Sequence, residues 1–102
     1  MNESIDADIA KKEIASLLQQ CVGILCSEAI REVQHYVEHG EPEMAFEGLF
    51  IELIEVGKIP KSVDKVSCLQ LGVYLKLDVE SVLDDAFWMK FNQFLEAESE
   101  AD

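Results

Sequence analysis

A chain of 102 residues with 21 acidic and 8 basic side chains carries a formal net charge of −13, and 49% of it is hydrophobic. The hydrophobic share argues against disorder and suffices for one core of ordinary domain size. The charge argues against nucleic acid and anionic membranes as partners and favours basic protein surfaces, within a screening distance of roughly 8–10 Å.

Ile9, Ile14, Leu17, Leu18, Cys21 and Val22 recur at helical spacing and predict a first helix from about Asp6 to Val22, after a frayed segment at residues 1–4. Gly23 interrupts the pattern, and Ile24, Leu25 and Cys26 form a short apolar connection. Ser27 is the expected cap of a second helix, with Ile30, Val33 and Val37 inward and its end at Gly40. Gly40, Glu41 and Pro42 compress a helix stop, a cap and a first helical position into three residues.

The third helix is expected from Pro42 to Val56, burying Ala45, Phe46, Leu49, Leu53 and Val56, with Gly57 as its stop. Lys58–Lys61 reads as an extended link, because the residue before Pro60 avoids the helical region. Ser62 is the expected cap of a fourth helix carrying Val63, Val66, Leu69, Val73 and Leu77, interrupted by Gly72. Asp78 is the expected cap of a fifth, with Val79, Val82, Leu83, Ala86, Phe87, Phe91 and Phe94 inward. Residues 96–102 read as a solvated, frayed acidic tail. No segment alternates as a strand would. The expected fold is therefore all-α, a single-domain bundle of about five helices over residues 1–102.

Chemistry is sparse. His35 and His39 are four residues apart on one helical face, but no third ligand is spaced to complete a metal site, and His39 suits the negative end of a helix dipole. Cys21, Cys26 and Cys68 match no metal or redox motif and are expected to be reduced core residues. Phosphate-binding glycine loops are missing. No catalytic residue, metal or cofactor is expected. There is no leader-like start and no apolar run near the roughly 20 residues of a membrane span, so a cytoplasmic location is expected.

What remains is an acidic surface with apolar residues set in it. At about 100° per residue, Glu43, Glu47, Glu52 and Glu55 share one half of the third helix with Met44, Ile51 and Ile54. Either a second layer of protein covers these apolar residues, or they form a patch with an acidic rim. In the fifth helix, Trp88 lies within one turn of Asp84 and Asp85, either as an interface anchor beside carboxylates or as a half-buried edge of the bundle. The candidate partner-binding residues are thus Glu43, Met44, Glu47, Ile51, Ile54, Glu55, Asp84, Asp85 and Trp88.

The run Ser27–Glu41 (SEAIREVQHYVEHGE), followed by Met44-Ala45-Phe46-Glu47 and the Ile59-Pro60 link, resembles the MafI-type immunity proteins of bacterial toxin–immunity systems, including those of contact-dependent growth inhibition. The resemblance covers Leu25 to about Ser62; the last forty residues carry no matching motif, and no binding residue transfers. It implies a small helical protein that binds a cognate toxin domain one-to-one and blocks it. The acidic charge suggests a basic nuclease, such as a ribonuclease, as that toxin. The alternative is a helical adaptor that binds a basic or amphipathic segment of a host protein.

Overall fold

The computed structural model describes residues 7–100 and contains five α-helices: α1 Ala7–Gln20, α2 Ser27–Glu38, α3 Pro42–Val56, α4 Lys65–Tyr74 and α5 Phe87–Glu100. The all-α class is as expected, and no strand occurs among the described residues beyond an isolated bridge between Val22 and Leu25. The expected frayed segment at residues 1–4 and the helix start at Asp6 lie outside the described residues.

In α1, Ala10, Ile14 and Leu18 recur every four residues and are buried. Ile9 was expected inward but sits beside this stripe and is exposed. Val22 is also exposed, because α1 ends at Gln20 and the chain turns through Gly23 before Val22 could complete another helical turn. Ser27 does not cap α2. The cap position belongs to Cys26, in extended conformation, whose carbonyl accepts the Ile30 N–H at 3.1 Å.

The corner after α2 is built as expected. Gly40 adopts φ +72°, a left-handed conformation that an L side chain would strain. The Gly40 N–H donates to Val37 O and the Glu41 N–H to Tyr36 O (2.9 Å), the paired bonds of a Schellman stop. Glu41 is then the N-cap of α3, with Pro42 at its first position. So short a connection forces α2 and α3 into an antiparallel hairpin, and these two helices make the most extensive pairing in the molecule.

Helix α3 also packs against α1 and α5, so more than one side of it is covered. Ala45, Phe46, Leu49 and Leu53 are buried as expected, Phe50 joins them, and Val56 at the last turn is exposed instead. Phe46 and Phe50 meet the α5 rings: Phe91 lies 5.7 Å from Phe46 and 4.8 Å from Phe50, both edge-on, and Phe87 stacks on Phe91 at 5.4 Å. Edge-to-face pairs of this kind add about 0.5–1.5 kcal/mol each to ring burial.

The fourth helix is capped by Asp64, not Ser62: its carboxylate accepts the Val66 N–H at 3.2 Å and the Ser67 hydroxyl at 2.8 Å. Ser62 instead donates to Gln20 Oε1, linking the α3–α4 connection to α1. Cys68, Leu71 and Gly72 are the buried residues of α4, while Val66 and Val73, expected inward, are exposed. Helix α4 closes with the same paired bonds as α2, Lys76 N–H to Val73 O and Leu77 N–H to Gly72 O, here with the non-glycine Lys76 at φ 65°.

The fifth helix begins at Phe87, eight residues later than expected. Residues 78–86 are a loop, with Val79 74% and Val82 54% exposed. Their spacing is helical but nothing covers them in the bundle, and the backbone N–H groups of this loop are held elsewhere. At its other end α5 extends through Glu100, so most of the expected frayed tail is helical.

Candidate partner-binding site

Glu47 was expected on the acidic rim. It is wholly buried. Its carboxylate faces the 78–86 loop and accepts three backbone hydrogen bonds: Val82 N–H to Oε1 at 2.8 Å, and Leu83 and Asp84 N–H to Oε2 at 3.0 and 2.7 Å. A buried carboxylate is tolerable only when its lone pairs are satisfied, and here a run of consecutive amides does so. Glu47 is therefore a structural latch and is withdrawn from the binding surface.

Two other candidates are similarly engaged. Asp84 accepts the Ala86 N–H at 2.9 Å through Oδ1 and pairs with Lys90 Nζ at 2.9 Å through Oδ2. The backbone bond first, and then Lys90, holds its carboxyl below the usual carboxylate range. Trp88 is half-buried, 5.2 Å from the Phe91 ring, and its indole lies directly on Gly72 of α4. A Cβ at Gly72 would stand 2.7 Å from the indole Cζ3, so this glycine makes room for Trp88. Of the two readings of Trp88, the edge of the bundle accounts for its contacts; Asp85 beside it is exposed.

Glu43 is exposed and Met44 half-buried at the start of α3, and Ile54 is half-buried near its end. None of the three lines the main groove. Ile51 does, and Glu55 lies close enough to act on its charge.

That groove runs between α2 and α3 on the outer face of their hairpin. One part, of about 730 Å³, is lined by Glu28, Arg31, Glu32, His35, Tyr36 and Glu52, among others. It continues into a narrower slot of about 240 Å³ with Gly48 and Ile51 from α3 and Leu83 from the latched loop, sharing Glu32, Tyr36 and Glu52. Tyr36 and Ile51 are half-buried against the core, giving the groove an apolar floor. Glu52 is pushed up from the usual carboxylate value, first by burial and then by the charges of Glu55 and Glu32. Among the described residues no cation pairs with Glu28, Glu32, Glu52 or Glu55; the ion pair present is Lys90–Asp84. The groove is thus a trough with an apolar floor, rimmed by carboxylates that form no ion pair, with Arg31 the cationic side chain on the same lining.

Sequence reasoning missed the α2 half of this surface. Its signal was present: Glu28, Glu32 and Tyr36 recur every four residues and share a face. A second unread signal was Gly48, a glycine in mid-helix with no turn to make.

His35 and His39 are exposed, their ring centroids 4.0 Å apart, with His39 Nδ1 2.9 Å from the His35 carbonyl at the end of α2. No group of three or more metal-ligating side chains stands together among the described residues. Cys21 and Cys68 are buried, and burial pushes their thiols up to about 11 and about 12; Cys26, expected in the core, is exposed on the groove's edge. No helix among the described residues is long and apolar enough to cross a membrane. Comparison of the chain with protein-family models, with curated proteins and with solved structures found no significant match.

Proposed function

We propose that the chain is an immunity protein: a non-catalytic, stoichiometric inhibitor that binds a basic toxin domain through the α2–α3 groove. The observation that carries this reading is the groove's composition. Glu28, Glu32 and Glu52 stand without cationic partners around Tyr36, Ile51 and Leu83. Unneutralised like charges held close together destabilise the free protein, and a cationic partner relieves that cost on binding. Apolar floor residues distinguish such a surface from a merely solvated acidic face.

The segment that resembles the MafI-type immunity proteins, Leu25 to about Ser62, contains most of the groove's lining, with Leu83 coming from outside it. The net charge of −13 supports fast capture of a basic domain, since steering raises association rates by roughly 10–1,000-fold and fades with salt. A nuclease toxin fits the same chemistry, because phosphate-handling surfaces are cationic. A cytoplasmic site of action follows from this role.

The proposal expects a toxin gene directly upstream of this one, and the test is co-expression with the toxin domain it encodes, scored by growth. The native chain restores growth, and the triple variant Glu28→Gln, Glu32→Gln, Glu52→Gln, shown folded by its helical circular dichroism, does not. Full rescue by the triple variant, or no rescue by the native chain, overturns the proposal.

A further inference from the structure

Helix α3 contains one glycine that packing does not require. Gly72 in α4 cannot carry a side chain, because Trp88 occupies the place its Cβ would take. Gly48 is different. A Cβ there would meet Leu83 Cδ1 at 3.8 Å and Tyr36 Cε2 at 3.9 Å, ordinary van der Waals contact, and Gly48 has no positive φ to maintain. Alanine would fit, and in a helix interior it is the more stable residue of the two. The missing side chain opens space, and that space is the slot of about 240 Å³ between Tyr36, Ile51 and Leu83, with Glu32 and Glu52 also lining it.

We infer that this slot receives one arginine side chain of the protein partner, its stem along Ile51 and Leu83, its guanidinium beside Tyr36 and the carboxylates of Glu32 and Glu52. This rests on the reading of the groove as a surface for a basic partner. A planar guanidinium can lie against an aromatic ring and hydrogen-bond to carboxylates at its rim, which a compact ammonium does less well. The charge complementarity is local as well as global: no cation of the described residues pairs with Glu32 or Glu52, and burial first, then the charges of Glu55 and Glu32, raises the Glu52 carboxyl. Glu47 positions the slot's far wall, since its bond to the Leu83 N–H holds Leu83 in place across from Tyr36.

The experiment is an amide-resolved NMR titration of the full chain at low salt with blocked Gly-Arg-Gly and Gly-Lys-Gly peptides. The arginine peptide shifts the amides of Gly48, Ile51 and Leu83 saturably, and binds more tightly than the lysine peptide. Gly48→Leu weakens it about tenfold, and Gly48→Ala, which keeps the fold and only narrows the slot, weakens it to a smaller extent. Equal binding of both peptides, shifts centred away from Gly48, or affinity unchanged in both variants overturns the assignment. Growth rescue lost in the glutamine triple variant but retained in Gly48→Leu removes the slot while leaving the groove. Slot binding without rescue by the native chain leaves the slot and removes the immunity reading.

Discussion

The Glu47 carboxylate and the Asp84 backbone N–H lie 2.7 Å apart across 37 residues of sequence, and this bond ties the centre of α3 to the entrance of α5. With the Val82 and Leu83 amides on the same carboxylate, it holds a loop whose valines face solvent and contribute little burial of their own. Asp84 then passes the constraint on, accepting the Ala86 N–H and pairing with Lys90 in the first turn of α5.

Removing that carboxylate leaves three part-buried amides without their acceptor. Each such group costs about 1–3 kcal/mol, offset where the loop opens to water. Glu47→Ala is expected to lose about 3 kcal/mol in urea unfolding, and Glu47→Gln about 2 kcal/mol, because one of the oxygens becomes a donor facing a donor. Hydrogen exchange at Val82, Leu83 and Asp84 should accelerate in both variants well before global unfolding. A loss confined to a few tenths of a kcal/mol would show that the latch is not structural.

The two mid-helix glycines make opposite predictions. At Gly72 an added methyl collides with the Trp88 indole, and overpacking of this kind costs about 1–3 kcal/mol against a propensity gain of less than 1. At Gly48 the methyl fits and the propensity gain stands alone. Thermal melts should therefore place Gly72→Ala below the native chain and Gly48→Ala above it. Equal signs would contradict the packing of Trp88 or the openness of the slot.

The contrast between these glycines also marks how far the sequence could be read. Gly40–Pro42 and the bounds of α3 were legible, because chain stops, caps and fixed proline φ act locally. The start of α5 was not: Val79, Val82 and Leu83 have helical spacing, and only the tertiary acceptor Glu47 explains why their segment is a loop. For the same reason Glu47 was misplaced on the acidic rim. A helical wheel assigns a face to a residue, but it cannot show that a distant backbone covers that face. Ile51 and Glu55 were found from α3 alone, whereas Glu28, Glu32 and Tyr36 required knowing that the hairpin sets α2 beside it.

Cysteine chemistry should separate by site. Burial pushes Cys21 and Cys68 up to about 11 and about 12, so almost no thiolate exists on either at neutral pH, and both are shielded from reagent. Cys26 is exposed at the α2 N-cap on the groove's edge. In native protein at pH 8, a disulfide exchange reagent should label a single thiol rapidly, identified as Cys26 by peptide mapping, with the other two reacting only on unfolding. Fast labelling of Cys68 would mean that α4 opens away from α1.

The raised Glu52 carboxyl sets a direction for stability with pH. Burial, then the charges of Glu55 and Glu32, make ionisation harder in the folded chain than in the unfolded one. A group whose folded value is raised contributes its stability below the unfolded value and loses it as pH rises through the folded one. Ionised Glu52 therefore weakens the free protein above the carboxylate range, and Glu52→Gln relieves this. The melting temperature of Glu52→Gln should exceed that of the native chain at pH 7, and the gap should close by pH 4, where both side chains are largely neutral. With a basic partner bound, the order at pH 7 should reverse, because the carboxylate then gains a cation that the amide cannot hold. A gap independent of pH would remove charge repulsion as its cause, and with it the main electrostatic argument for a groove poised to accept positive charge.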